Sequence, residues 1–396
     1  MRLLSLATLY PAPARPGFGR FVQTQLETLA RQENWDVTVI NPIGLPPLPQ
    51  ILCPAKYSPL RMIPAVETGA VTVHHPRFAL IPGVSGRFNP SLIVRAVLPL
   101  ARRLHAAQPF DMVDAQFFYP DGPAAAHIAR ALNLPLAIKA RGGDILHWGT
   151  VPAAREQMLT AGAQARVLLT VSQALGRDMV AMGLPAERIR VHYTGLDHTR
   201  FYPRPRDEAR AILAARLPAL ALPPDARLVV CVGNLIAIKG QALAIAAMSR
   251  LPGDVVLVLA GGGPDEAALR RQVETAGLGA RVRFAGALGH DDLPLLLTAA
   301  EAMVLPSERE GLANAWIEAL ASGTPIVISD VGGAREVVSD SRTGCAVARD
   351  PDAIAEALRT VLDATVPQAE VAAAAARFSW DANATELGKI YREVVK

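Results

Sequence analysis

Along this chain a short apolar run, a loop bearing glycine or proline, and a stretch with helical spacing recur in turn. The first round predicts a strand over residues 2–9, a loop over 11–19, a helix over 21–31 and a strand over 35–40. Further strands are expected at 110–116, 136–139, 167–172 and 189–193, with helices at 90–107, from Pro123, and up to Met182. In the second half, strands are expected at 228–232, 254–260, 282–284, 303–305 and 326–329. Helices there fall at 265–276, 291–299, 313–321 and 351–362, with another through Ala242 and Ile245. Such alternation predicts an α/β chain, and 396 residues exceed one ordinary core, so two doubly wound domains are expected. Residues 42–90, rich in proline and poor in pattern, read as a mobile connection over the surface. Residues 204–224 read as an interdomain linker with a short helix.

The richest chemistry lies at 303–325. Val304, Leu305 and Pro306 close a strand, Ser307 to Gly311 form a polar turn carrying two acids, and Gly323 with Pro325 stops the helix that follows. Glu310 then precedes a helix N-terminus and Glu318 lies about two turns inside it. The unpaired N–H groups of that first turn attract phosphate or sugar hydroxyls, and Glu318 can accept two vicinal hydroxyls, as on a ribose. Acids eight apart on a helix are otherwise solvated surface; the strand end before them points instead to a ligand.

Other strand ends carry similar signals. Gly233-Asn234 through Lys239-Gly240 places a lysine at a helix mouth, which suits a diphosphate, although Gly-x4-Gly-Lys-Ser/Thr is absent. Gly261-Gly262-Gly263-Pro264 follows another strand, with Phe284 on the next. In the first half, Gly17, Phe18 and Gly19 stand at a helix entrance, where glycine lets a ligand near the backbone or simply makes a turn. Ala140 to His147 is a polar loop with Arg141 and Asp144. Arginine does not deprotonate in proteins, so Arg141 would bind a phosphate or hydroxyl, or else pair with Asp144; His147 merits testing.

Charge and composition narrow the classes. The excess of 40 basic over 36 acidic residues is mild, and no basic stripe interleaved with aromatics marks a nucleic-acid reader. Cys53, Cys231 and Cys345 lie far apart without metal-ligand spacing, so they read as free thiols in a reducing compartment. The apolar N-terminus is cut by Pro11, Pro13 and Pro16 and reads as a buried strand. No run reaches the ~18 apolar residues of a membrane span. The chain is therefore expected in the cytoplasm, at most resting on the inner face of the plasma membrane. Residues 90–107 set Leu92, Val94 and Leu98 beside Arg95, Arg102, Arg103 and His105. Two readings stay open: a core-facing helix with solvated arginines, or an interfacial helix on anionic lipid.

The 303–325 stretch resembles the Glu-x7-Glu signature of retaining glycosyltransferase family 4, through Pro306, Ser307, Glu310, Gly311, Glu318, Ala319, Ala321, Gly323 and Pro325. Thr194-Gly195-Leu196-Asp197 with Phe201 and Pro203 resembles the family's closing segment of the first domain, Thr194 replacing the usual Asn. The resemblance implies the GT-B fold: two Rossmann-like domains facing across a cleft. Residues 1–200 would bind the acceptor, 201–377 would bind the nucleotide sugar, and helix 378–396 would cross back to the first domain. It implies transfer, with retention, of a hexose from a UDP-, GDP- or ADP-linked sugar to a hydroxyl of a glycan or lipid-linked glycan precursor of envelope or exopolysaccharide synthesis.

By the same resemblance Glu310 lies by the transferred sugar, Glu318 holds the ribose, and Lys239 with the helix mouths at Gly240 and Gly311 steadies the departing diphosphate. Leu312, Ala313, Asn314, Gly261, Gly263 and Phe284 complete the donor site. Asn234 stands where the family has an arginine, and Arg141 where it commonly has a histidine. Gly17, Phe18, Gly19 and Asp144 fall on the acceptor side. The diphosphate oxygen is thought to take the acceptor's proton, so no protein base is required. No Asp-x-Asp suggests a metal clamp, so no metal and no cofactor is expected. A non-catalytic two-domain protein binding sugar or phosphate is the alternative. An NAD-dependent enzyme would want a Gly-x-Gly-x-x-Gly that is not found in the right setting.

Overall fold

The structure, a computed structural model, describes residues 1–49, 53–81, 83–223, 225–289 and 291–396. The chain forms two compact units: Met1–Gly195 with Trp380–Lys396, and Leu196–Ser379. The divisions fall after Gly195 and Ser379, where 200 and 377 were expected.

The strands of the first unit, in chain order, are β1 (Arg2–Leu6), β2 (Asp36–Ile40), β3 (Ile43–Leu45), β4 (Val66–Thr68) and β5 (Thr72–His74). They continue with β6 (Arg77–Ala79), β7 (Met112–Ala115), β8 (Leu136–Ala140), β9 (Val167–Thr170) and β10 (Ile189–Val191). Eight make one sheet in the order β10-β9-β8-β7-β1-β2-β5-β4, in which only the β4–β5 pair is antiparallel. Parallel strands are covered on both faces, which is why β7, β8 and β9 are buried at every position. The order reverses between β1 and β7, so the loops after those strands open at a switch point.

Residues 42–90 differ from the expected surface connection. β4 and β5 extend the main sheet, and β3 pairs with β6 in a parallel two-stranded sheet of its own. Three-residue strands are too short to show a period, so the pattern could not announce them. Gln50, Ile51, Leu52 and Pro82 of that stretch lie outside the described residues. The helix Pro152–Gln164, buried through Ala154, Met158, Ala161 and Gly162, was also not anticipated. The last helix, Trp380–Val395, packs Leu387, Ile390, Tyr391 and Val394 against Val22, Leu26 and Leu29 of the helix Arg20–Glu33. Each such side chain contributes roughly 1.5–3 kcal/mol on burial.

The second unit has β11 (Arg227–Val232), β12 (Val255–Ala260), β13 (Val282–Gly286), β14 (Ala302–Leu305), β15 (Ile326–Ser329) and β16 (Gly344–Val347). They form a wholly parallel sheet in the order β13-β12-β11-β14-β15-β16. Its order reverses between β11 and β14, which sets the loops 233–240 and 306–313 side by side. The expected linker 204–224 is largely structured within this unit. Its helix Arg206–Arg216 packs beside the helix Asp292–Ala299, and Arg210 Nη2 reaches both carboxylate oxygens of Glu301 at 2.8 and 2.7 Å. Pro224, the linker's last residue, lies outside the described residues.

Candidate active site

At the switch point of the second unit the two adjacent loops are locked by backbone contacts. Glu308 N donates to Ile238 O at 2.7 Å, and Ser329 Oγ donates to Ser307 O. Gly240 sits at φ +73°, and a Cβ there would lie 2.2 Å from Pro306 O. Glycine at this position therefore serves loop packing as well as the entry to the helix Gln241–Met248.

That packing brings Lys239 to Glu310. The Lys239 ammonium pairs with Glu310 Oε1, which also accepts from Ser307 Oγ at 2.8 Å. Both side chains are largely shielded, at 23% and 12% exposure, so the pair is held close to the sheet and out of bulk water. A lysine with one acidic partner among the described residues can exchange that partner for a phosphate. Asn234 is exposed, and its backbone carbonyl accepts from the buried Gln241 at 2.9 Å.

The helix after this loop is Asn314–Ala321, with Ala313 at its N-cap and no side chain capping its first turn. Its leading N–H groups are thus left for a ligand or solvent. Gly311, Leu312 and Ala313 are buried, and Gly311 O accepts from Gly333 N at 2.9 Å. Glu318 is half-buried. Burial pushes its carboxyl up to about 7, with the positive charge of Arg200 pulling the other way. Among the described residues no group donates a hydrogen bond to that carboxylate. A half-buried acid without a protein donor is only partly solvated, which is what a site for hydroxyl donors looks like before they arrive.

Gly261 and Gly263 have a different role. Cβ atoms on them would lie 2.0 Å from Gly233 O and 2.3 Å from Leu235 O, while Leu235 N donates to Gly262 O at 3.0 Å. These glycines let the loop after β12 lie on the loop after β11. Phe284 on the edge strand β13 carries the Arg270 guanidinium 4.1 Å from its ring centre. Asp350-Pro351-Asp352 is the sole Asp-x-Asp in the chain. Asp350 caps the helix Pro351–Asp363 through the N–H groups of Asp352 and Ala353, and Asp352 pairs with Arg250.

In the first unit, Gly17 stands in the open and Phe18 is 42% exposed beneath the Arg15 guanidinium. Gly19 is the N-cap of the helix Arg20–Glu33. Asp144 is fully buried and accepts from the backbone of Phe118, Arg141, Gly142 and Ile145 at 2.7–3.1 Å. It shapes the loop; burial raises its carboxyl and those N–H bonds oppose the rise. The side-chain pairing of Arg141 with Asp144 that the sequence allowed is not formed. Arg141 instead donates from Nε to Gln116 O at 2.7 Å and from Nη2 to Gln116 Oε1 at 2.6 Å. Burial lowers its guanidinium to about 10, which leaves it charged at neutral pH. His147 is exposed and packs edge-on against Trp148. Sequence reasoning passed over Gln25 and Gln116, which meet Arg141, and Lys139, which meets Gln25; no local pattern marks a buried polar residue on a helix or strand as anything but an exception.

Cys231 is buried and Cys53 and Cys345 are half-buried, all three as free thiols. Among the described residues, no helix is long and apolar enough to cross a membrane.

Two family models match the chain: Glycosyltransferase Family 4 over residues 16–200, and Glycosyl transferases group 1 over residues 216–378. TuaC, a Bacillus subtilis protein named for teichuronic acid biosynthesis, is 27% identical over 100% of this chain and 99% of its own length. A GDP-mannose-dependent alpha-(1-6)-phosphatidylinositol monomannoside mannosyltransferase of Mycobacterium tuberculosis is 29% identical over 83% of this chain and 85% of its own. Among solved structures, sucrose-phosphate synthase from Thermosynechococcus elongatus matches with a TM-score of 0.79 at 22% identity, over 100% of this chain and 99% of that one. Anabaena HepE in complex with UDP and glucose matches with a TM-score of 0.74 at 21% identity, over 99% of each chain. At these identities the likeness establishes the fold, which is GT-B, with two Rossmann-like units.

Proposed function

This chain belongs to glycosyltransferase family 4, and from that premise we propose a retaining, metal-independent transfer of a hexose from a nucleotide-diphosphate sugar to a hydroxyl acceptor. The observation that carries the proposal is the shielded Lys239–Glu310 pair at the switch point, followed by the helix Asn314–Ala321 whose Glu318 carboxyl has no donor among the described residues. When the donor arrives, Lys239 turns from Glu310 to the diphosphate. The N–H groups at Gly240 and before Asn314 face the same charge, which grows as the bond from sugar to phosphate breaks. Glu310, released, accepts from hydroxyls of the transferred sugar. Glu318 accepts from the ribose diol.

The acceptor oxygen bonds to the anomeric carbon on the face the diphosphate leaves. The acceptor's proton passes to a departing phosphate oxygen, so the diphosphate leaves protonated and no side chain acts as base. Arg141 is the residue of the first unit that would meet a substrate phosphate or hydroxyl. The Gly17–Gly19 loop would meet the acceptor, with Asp144 shaping the neighbouring loop.

The acceptor class follows the relatives named for envelope glycans, a glycan or lipid-linked precursor. Contact with a membrane is supported by the helix Asn89–Ala107. Its Arg95, Arg102 and Arg103 have no acidic partner among the described residues, and Ile81, Val84 and Phe88 nearby are 46%, 66% and 49% exposed. Purified protein incubated with UDP-glucose, GDP-mannose and ADP-glucose in chelator should be stabilised against heat by one nucleotide class and should hydrolyse that donor slowly. Stabilisation with no turnover, even with added lipid-linked acceptor, would leave a binding protein. A strict need for divalent metal would refute the metal-free step.

A further inference from the structure

The interior of the first unit holds an unbroken line of polar side chains whose middle is Arg141. Lys139, 1% exposed on β8, donates from Nζ to Gln25 Oε1 at 3.0 Å and approaches His192 Nδ1 at 2.6 Å. His192 Nε2 lies 2.9 Å from the Asn383 carbonyl, which can only accept, so Nε2 carries the hydrogen and Nδ1 accepts from the lysine. Gln25 Nε2 donates to Gln116 Oε1 at 3.1 Å, and Gln116 Nε2 donates to Asp114 Oδ2 at 2.5 Å. Tyr391 Oη donates to the same Asp114 oxygen at 2.5 Å. Both ends of the line thus stand on the last helix, at Asn383 and Tyr391.

Direction in this line is forced. Lysine and arginine only donate, so the amide oxygens of Gln25 and Gln116 must both turn toward them. Arg141 gives Nη2 to those oxygens and Nε to the backbone carbonyl of Gln116, and among the described residues Nη1 has no acceptor. Removing the lysine would free the Gln25 amide to rotate, and Gln116 with it.

We propose that Lys139, Gln25 and Gln116 are positioning residues that aim Nη1 of Arg141 at the substrate, with the last helix holding the line through Asn383 and Tyr391. The inference rests on the reading that Arg141 meets substrate. It needs no charge on Lys139, since a neutral amine keeps the two N–H bonds the line uses.

The test has two readouts on the full chain. The first is the Nη–H resonance of Arg141, whose Nη2 meets the two amide oxygens, in low-temperature nitrogen-15 NMR, assigned by its loss in Arg141→Lys. It should be protected from exchange in the parent protein. In Lys139→Met and Tyr391→Phe it should shift and exchange about tenfold faster or more, as for a hydrogen bond weakened by about 1.4 kcal/mol. An unchanged resonance in the folded variants overturns the coupling. Tyr391→Phe loses one oxygen and serves if Lys139→Met does not fold. The second readout is turnover of UDP-glucose or GDP-mannose. Both variants should lose about tenfold in kcat with donor KM within about twofold, and neither should add to the loss in Arg141→Lys. Additive losses would assign the line a structural role alone. A coupled resonance with full activity in Arg141→Lys would instead refute the reading of Arg141 and leave the coupling standing.

Discussion

In the second unit Glu318 and Lys239 keep capacity in reserve near the strand ends, whereas in the first unit Asp144 and Arg141 are held mainly by backbone and glutamine groups. Among the described residues, half-buried Glu318 has no donor, Lys239 pairs with a single carboxylate, and the helix at Asn314 opens without a side-chain cap. By contrast Asp144 accepts four backbone N–H groups, and Gln116 joins Arg141, Gln25 and Asp114. Both arrangements stand at the carboxyl ends of parallel strands in doubly wound sheets, so topology does not distinguish them. The difference lies in which groups the protein itself completes. On the proposed function, the second unit would give up stability for affinity toward a charged nucleotide. In the first unit Gln116 grips Arg141 through Nε and Nη2 and leaves Nη1 open, beside the exposed loop Gly17–Gly19.

The contrast breaks most visibly at Lys239. Lys239→Ala should cut kcat by about 100-fold or more, the scale of losing one charge-stabilising donor, while the melting temperature stays near that of the parent. Steady-state turnover beside a thermal melt checks both halves, and full turnover would place the diphosphate elsewhere. On the other side Tyr391→Phe should cost about 1–3 kcal/mol in stability, because buried Asp114 loses a donor, and should leave nucleotide affinity intact. Urea unfolding and calorimetric titration read the two separately; weaker nucleotide binding would erase the distinction between the units.

Glu318 sharpens the comparison through pH. Its folded carboxyl titrates near 7, above the ordinary 4.5, so the folded chain binds the extra proton between those values. Stability from this group is therefore full below about 4.5 and is lost as pH rises through 7. Glu318→Gln should melt higher than the parent at pH 8 by about 1–2 kcal/mol and match it at pH 5, while nucleotide binding weakens by a similar amount. Equal melting at both pH values would mean the carboxyl is solvated. The smallest effect is expected for Asn234→Arg. It restores a cation at an exposed site and should tighten nucleotide binding by about 0.5–1 kcal/mol, an effect that salt should remove. Weaker binding in the variant would say that the loop has no room for a second cation.

Much of this was legible in the residues. The strand–loop–helix rhythm placed β1, β2, β8, β9 and β11 to β15 within a few positions, because an apolar run bounded by glycine and proline is a local property. The Glu310 and Glu318 spacing, with Lys239 ahead of it, pointed to the family for the same reason. What remained hidden was non-local. The three-residue strands of 43–79 form only because the sheet edge and a small partner sheet supply hydrogen bonds that their own sequence cannot.

The chain by itself thus determined the α/β plan and which residue types stand at its strand ends, since periodicity, turn residues and helix stops act between near neighbours. Tertiary structure alone decided which polar groups meet. Lys239 reaches Glu310 across 71 positions, and Tyr391 reaches Asp114 across 277. It also decided that Arg141 would be gripped by glutamines instead of Asp144. Such pairs depend on where packed helices and strands bring buried donors and acceptors together, and nothing in the spacing along a sequence sets those distances.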